Sequence, residues 1–423
     1  MNKKRIKFIL KTLLVVFALI LIVAQAVWEK TGYFDENVEA FMRCEKAEIF
    51  EQVQKTTLKT FAIAPGIIGR LYQDGKMVDQ DYDAAVKWHR WAFEYGNHIS
   101  IYELGKLYAA GHGLPKDYAL AAESFEIAAK KGYRAAKFRL GELYLDGRGV
   151  PVDHVKAASL IFDAAQDGYD RAQHAAGMFY YRGIGVPQNY TLAYAWFNDA
   201  VENGILDSIY YLGSMYANGE GVPKDNKMAL ELFGEAAQQG FALAETALGQ
   251  MYYYGKGIPQ DRAESYKWFL KAAKQGHSEA QHSLGYMYGS GEGVEKNLAE
   301  SARWYQEAAE KGFAKSQHSL GFIYDTGKGV ERNCAKAAKW YLMAARQNYA
   351  AAQYNLGMMC ARGKCRPKDE AQAYMWFALA VECGNKKAVK KRDKYRAKLS
   401  SEQLAQVRKD ALGNGFGEFA DRL

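Results

Sequence analysis

The sequence predicts an all-α fold, a right-handed α/α superhelical solenoid of nine 36-residue helix-pair repeats. Three observations predict it. Glycines at 69, 105, 141, 177, 213, 249, 285, 321 and 357 recur at a constant step of 36 residues. Around them one pentapeptide returns: Leu104-Gly105-Lys106-Leu107-Tyr108 comes back as Leu140-Gly141-Glu142-Leu143-Tyr144, Leu248-Gly249-Gln250-Met251-Tyr252 and Leu320-Gly321-Phe322-Ile323-Tyr324. The chain also holds 40 glycines in 423 residues, above the usual ~7%. Anchor, loop and closing positions of the repeat account for 33 of them.

Each unit reads as two helices. Helix A ends near the anchor glycine and the Tyr three residues on. A Gly-rich loop follows, as in Gly219-Glu220-Gly221-Val222-Pro223-Lys224-Asp225. Helix B carries a small residue and then aromatics, as in Ala337, Trp340 and Tyr341, and closes on Ala-Ala. A closing Gly follows at 96, 132, 168, 204, 240, 276, 312 and 384, with Asn348 in the eighth unit. Gly or Asn there fits a left-handed helix C-cap. The anchor glycine differs, because it lies inside a helical pattern, where it costs about 1 kcal/mol relative to Ala. Its recurrence implies close helix packing. One pair cannot bury its apolar face alone, so neighbours stack. Length alone suggests two or three domains; the repeat replaces that expectation with one continuous superhelix over 61–384. Residues 27–60 are expected to form an N-terminal helical segment and 385–423 a capping helix and tail, with Ser400 or Ser401 as N-cap of a last helix to about Leu412.

The net charge of +8 is confined to the two ends. Lys3, Lys4, Arg5, Lys7 and Lys11 precede an apolar run, Leu13 to Val23, and Ala24-Gln25-Ala26 offers a small-x-small cleavage site. Residues 1–26 therefore read as a signal peptide, or as an uncleaved anchor. Either places the body in the periplasm, free or held at the inner membrane. A second basic run, Lys386 to Lys398, reads as a solvated helix face or as a contact for anionic lipid or an acidic partner. The repeat body is mildly acidic, which argues against a nucleic-acid groove.

The pattern Leu-Gly-x-x-Tyr-x-x-Gly-x-Gly-Val-x-x-Asp, then Ala, Trp and Ala-Ala before Gly, resembles the Sel-one-like repeat (SLR) family, a tetratricopeptide-like α/α-repeat class of bacterial exported proteins. The likeness covers about three quarters of the chain. Departures are local: Pro65-Gly66 and Met77 in the first unit, Cys360 and Cys365 in the ninth. The resemblance implies a binding protein that is not an enzyme. The uses it permits are an envelope scaffold, a signalling regulator, a host-protein adaptor or an immunity partner of a periplasm-delivered toxin. A hydrolase of cell-wall or β-lactam-like substrates is the competing class, suggested for cysteine-rich relatives.

The chemistry-bearing motifs are missing from the sequence. It has no HExxH, Ser-x-x-Lys, G-x-S-x-G or phosphate loop. Gly255-Lys256-Gly257 mimics a phosphate cradle but recurs in phase as a repeat loop. His174, His282 and His318 share one phase, three residues before the anchor. Stacked helices 8–10 Å apart keep such a ladder from converging on one ion. Tyr102, Phe138, Tyr210 and Tyr354 hold the same place, which reads as a site for a planar ring. No cofactor, metal or catalytic residue is expected.

By similarity to tetratricopeptide repeats, that phase of helix A lines the concave face. Residues four and seven steps apart share its stripe. In units six to nine the stripe reads Tyr253, His282, Tyr286, His318, Phe322, Tyr354 and Met358, with Tyr254 alongside. Rings and Met in that place read either as a patch for a protein partner or as packing between units. A monomer is expected, touching membrane only through an uncleaved N-terminus. Of the five cysteines, Cys360 and Cys365 are five residues apart and read as a local disulfide or as two thiols. Cys44, Cys334 and Cys383 have no evident partner in the sequence.

Overall fold

The computed structural model describes residues 63–75, 78–94, 96–364, 367–413 and 415–420. The expected leader, the 27–60 segment, Cys44, Met77 and Cys365 lie outside the described residues. Among these residues the regular structure is α-helical, with one 3-10 turn and no strand. The chain divides into two compact units at Ile205 and Leu206, where the sequence reading expects a single superhelix. Repeat arrays hold together by nearest-neighbour contacts, so such an array can part between any two pairs.

The first unit holds four helix pairs: α1 (Ile63–Asp74) with α2 (Tyr82–Glu94), α3 (His98–Ala110) with α4 (Tyr118–Lys130), α5 (Arg134–Asp146) with α6 (His154–Gln166), and α7 (Asp170–Arg182) with α8 (Tyr190–Glu202). The second holds five: α9 (Leu206–Asn218) with α10 (Asn226–Gln238), α11 (Ala242–Tyr254) with α12 (Arg262–Lys274), α13 (Ser278–Ser290) with α14 (Leu298–Glu310), α15 (Ala314–Thr326) with α16 (Cys334–Ala345), and α17 (Ala350–Arg362) with α18 (Glu370–Glu382). A turn at Lys386–Ala388, then α19 (Val389–Arg396), α20 (Ser401–Gly413) and α21 (Gly417–Ala420), closes the second unit. Pro65 stands in the first turn of α1, where a missing N–H costs nothing.

The ends of these helices follow from single residues. Helix A runs about five residues past its anchor glycine, further than the sequence suggests. A loop glycine in the left-handed conformation stops it, as Gly327 does after α15. Helix B opens on an Asp or Asn whose side chain accepts the N–H groups of the first turn: Asp117 in α4, Asp225 in α10, Asn297 in α14 and Asp369 in α18. The same residue's N–H returns to the carbonyl three past the anchor, as Asn333 does to Tyr324 at 2.9 Å and Asp369 to Cys360 at 3.1 Å. Cys360 serves as well as Tyr there, because the bond uses only backbone. Helix B closes on a left-handed residue; Asn348, with φ of 60°, takes that conformation where other units use Gly.

The anchor glycine is explained by what lies over it. A Cβ at Gly105 would stand 2.7 Å from the ring of Phe125, at Gly177 2.5 Å from Phe197, at Gly285 2.7 Å from Tyr305 and at Gly321 2.7 Å from Tyr341. In each case the blocking ring sits 20 residues on, in helix B of the same pair. Side chains seal the contact: Ser265 and Ser301 donate to the carbonyls of Gly249 and Gly285 at 2.7 and 2.6 Å. Adjacent pairs are joined by buried glutamines. Gln281, Gln317 and Gln353 each donate to the last turn of the preceding helix B, at Ala273, Ala309 and Ala345.

The array ends on a lid of side chains. Trp376 meets the edge of Phe416, and Phe377 stacks on Tyr395. Leu404, Val407 and Ala411 of α20 are buried in the same cluster. Ser400 caps α20 reciprocally: its N–H reaches Gln403 Oε1 at 3.0 Å, and its Oγ accepts the Gln403 N–H at 3.3 Å. Within the described residues, α20 thus covers the end of the second unit's apolar cluster.

Two outcomes follow from this packing. Gly321→Ala gains helix propensity but drives a methyl into the Tyr341 ring, so it is expected to destabilise the second unit by about 1–3 kcal/mol in denaturant melts. In the first unit, His89 takes the place over Gly69 that Phe, Tyr or, at Gly141, Ile161 holds elsewhere. It is 1% exposed, and burial pulls its imidazole down from 6.5 to about 4. The fold thus favours the neutral ring. Its contribution is complete above pH 6.5 and is lost as pH falls from 6.5 towards 4, on the order of 3 kcal/mol. Melts at pH 7 and pH 4.5 are expected to show that His89→Phe removes much of the first unit's acid sensitivity.

Candidate functional site

The eight residues singled out in the sequence all lie in the second unit, on α11, α13, α15 and α17. The structure sorts them into two sets. His282, His318 and Tyr354 are packing residues. His282 lies against Tyr305 of its own pair at 5.2 Å and Phe313 of the next at 5.4 Å. His318 repeats this with Tyr341 and Tyr349 at 5.6 and 5.3 Å, and Tyr354 tilts onto Phe377. Tyr102, between Phe125 and Tyr133, shows the same arrangement in the first unit. The phase shared by the histidines is a ring site wedged between helix B and the start of the next pair.

The histidine nitrogens are engaged in structure. His282 Nδ1 pairs with Ser316 Oγ at 2.8 Å, and His318 Nε2 with Asn355 Nδ2 at 3.1 Å. Burial lowers both, His282 to about 4. Neutral, partnered rings of this kind are poor proton relays near pH 7. No group of three or more His, Cys, Asp or Glu among the described residues is arranged to hold a metal. Met358 is half-buried and packs against the terminal core.

The other set faces water. Tyr254 is 63% exposed, Tyr286 48% and Phe322 45%. Tyr286 and Phe322 stand one residue after their anchor glycines, where other units place Lys106, Glu142, Ser214 and Gln250. Tyr254 stands five after its anchor, where Asp146, Asn218, Ser290 and Thr326 occur. Polar side chains satisfy these positions in most other units, with Met178, Met358 and Ala110 the exceptions, so the fold does not require these rings. Half-buried Tyr253 links two of them: its ring meets Tyr254 at 4.9 Å and Tyr286 at 6.5 Å, both edge-on. Its hydroxyl donates to Glu292, which also pairs with Arg262 at 3.2 Å, and Arg262 lies over the Tyr253 ring. Lys256 and Lys328 lie 5.6 and 5.5 Å from the rings of Tyr254 and Phe322. The result is a line of exposed rings flanked by cations on three successive helices A.

Of the two readings left open for Cys360, a local disulfide with Cys365 or a thiol, the structure has the thiol, buried. Its side chain belongs to the buried cluster that also holds Phe377 and Leu379. Cys383 is also a thiol. Cys334, for which the sequence offers no partner, is disulfide-bonded. The basic run after α18 is mostly solvated, with Lys398 paired to Glu370 at 2.6 Å. No helix among the described residues is long and apolar enough to cross a membrane.

Comparison with known proteins agrees with this architecture. A Sel1 repeat protein from Oxalobacter formigenes is 30% identical, with a TM-score of 0.60 over 76% of this chain and 93% of that one. The c5321 protein, a protective antigen of uropathogenic Escherichia coli with an SLR fold, is 27% identical, with a TM-score of 0.58 over 88% and 97%. The immunity protein Pa5087 of Pseudomonas aeruginosa is similar at 22% identity and a TM-score of 0.36, over 51% and 83%; a likeness that distant carries no functional argument. No curated protein matches the chain. The Sel1 repeat pattern matches nine consecutive segments, 67–94, 98–133, 134–169, 170–205, 206–241, 242–277, 278–313, 314–349 and 350–385. The chain therefore belongs to the Sel1 repeat family, whose members generally mediate protein–protein interaction.

Proposed function

We propose that this protein is a non-enzymatic scaffold that binds a protein partner through the helix-A face of its second unit. One observation carries the reading: Tyr254, Tyr286 and Phe322 are large exposed rings at positions where the repeat is content with polar residues. Exposing such rings gains the fold nothing, whereas rings of this type dominate interface energies. The flanking Lys256 and Lys328 suit a partner segment carrying acidic residues beside its apolar contacts. His282, His318, Tyr354 and Met358 support the surface from behind. The basic, then apolar N-terminus supports placing this scaffold in the periplasm, free or tethered to the inner membrane.

The test is capture by crosslinking in intact cells expressing the full chain. Tyr286→Ala combined with Phe322→Ala is expected to lower recovery of the captured partner more than tenfold, with circular dichroism unchanged. Lys106→Ala, at the equivalent position in the first unit, is expected to leave capture intact. Undiminished capture by the double variant would remove this surface from the account.

A further inference from the structure

We infer that the lysine face formed by the turn after α18 and by α19 adsorbs to a surface of anionic phospholipid, a second contact of this unit besides the rings. Residues 386–398 carry Lys386, Lys387, Lys390, Lys391, Arg392, Lys394, Arg396 and Lys398 against a single acid, Asp393. Arg392 pairs with Asp393 at 2.8 Å and Lys398 with Glu370 at 2.6 Å. The other six cations form no ion pair among the described residues. All of them except half-buried Lys391 are exposed.

The fold seats this segment by its opposite side. Ala388 is fully buried, and Tyr395 stacks on Phe377. Lys387, Lys390 and Lys394 then follow one another at about one turn on the outward side. Elsewhere in the chain a helical cation meets an acid one turn away, as Lys106 meets Glu103, Lys130 meets Glu126 and Lys267 meets Glu264. In α19 the residues at that spacing are Lys390 or Lys391 and Lys394, which repel. Lys394 has local support from its place in the last turn and from the Tyr395 ring at 6.0 Å. Lys390, Lys391 and Arg392 instead crowd a first turn that holds no acid, against the positive end of the helix dipole. A placement that opposes the helix in two ways points to an anion outside it.

The chemistry of the face selects lipid. Five of the six unpaired cations are lysines, hydrated point charges without the planar fork that arginine brings to carboxylate and phosphate pockets. Protein interfaces are depleted in lysine and built around aromatic and other apolar anchors, yet no large apolar side chain of residues 386–398 is exposed. Clustered lysines of this kind read a sheet of anionic headgroups without needing a pocket, each raising partition roughly fivefold. The contact is adsorption. At 1.5 Å per residue α19 is about 12 Å long, well short of the roughly 30 Å hydrocarbon core. The lysine face and the ring surface share no residue, so either can fail alone.

Lysine footprinting tests the assignment. The purified full chain is mixed with phosphatidylcholine vesicles containing about one third phosphatidylglycerol, acetylated briefly and mapped by mass spectrometry. Lys387, Lys390 and Lys394 are expected to react about fivefold more slowly than without vesicles, while Lys256 and Lys328 beside the rings keep their rates. Pure phosphatidylcholine vesicles, to which an apolar N-terminus would bind equally, are expected to give no protection. Salt at about 1 M, where the Debye length is about 3 Å, is expected to remove it. Lys387→Gln, Lys390→Gln and Lys394→Gln together are expected to release Lys386 and Lys391 from protection with circular dichroism unchanged. Unchanged rates at the three lysines, equal protection by neutral vesicles, or protection spread evenly to Lys256 and Lys328 would overturn the proposal. Stronger protection by polyglutamate or duplex DNA at matched charge would assign the face to another polyanion and overturn it too.

Discussion

The structure depends on one contact: the bare Cα of the anchor glycine under an aromatic or branched side chain 20 residues later. That contact sets how near helix B lies to helix A. With the helices so close, helix B brings small residues to the seam, Ser265 and Ser301 in two pairs and the fully buried Ala337, Ala344 and Ala345 in another. The ring over the glycine then becomes a floor for two further rings, one three residues before the anchor and one at the start of the next pair. In the eighth unit these are Tyr341, His318 and Tyr349. A local steric rule thereby becomes the rule for stacking one pair on the next.

This division of labour frees other positions. Packing is handled by the glycine, the alanines and the ring sites, while the caps are handled by Asp or Asn and by left-handed Gly or Asn. In most units the residues one and five past the anchor answer to none of these demands; Met358, packed on the terminal core, is an exception. There the chain varies from Lys106 and Glu142 in the first unit to Tyr286 and Phe322 in the second. The same separation explains why the histidines are unpromising for chemistry. They occupy packing sites, and burial keeps their rings neutral.

Much of the fold was legible in the sequence because it rests on residues with few physical substitutes. The 36-residue step, the left-handed Asn348 and the planar-ring site before most anchors read directly, and the cap was narrowed to Ser400 or Ser401. The boundary between the two units did not, since Ile205 and Leu206 interrupt no repeat. The binding surface was only partly legible. Helical periodicity assigns His282, Tyr286, His318, Phe322, Tyr354 and Met358 to one stripe, but exposure depends on the following pair. Phe313 and Tyr349 cover the histidines, and neither belongs to the stripe. Comparing equivalent positions was the stronger signal, because Tyr254, Tyr286 and Phe322 are large exposed rings where most units carry polar residues.

The central claim is that the glycine and the ring above it act as one unit, and a double-mutant cycle on Gly321 and Tyr341 tests it most directly. Denaturant melts of wild type, the two Ala single variants and the double variant give the coupling energy. The account predicts coupling of at least about 1 kcal/mol, because the added methyl clashes only while the ring is present. With the ring removed, alanine at 321 should become neutral or stabilising, as helix propensity alone would have it. Additive losses, within about 0.5 kcal/mol, would contradict the claim that this contact sets the spacing of the helices.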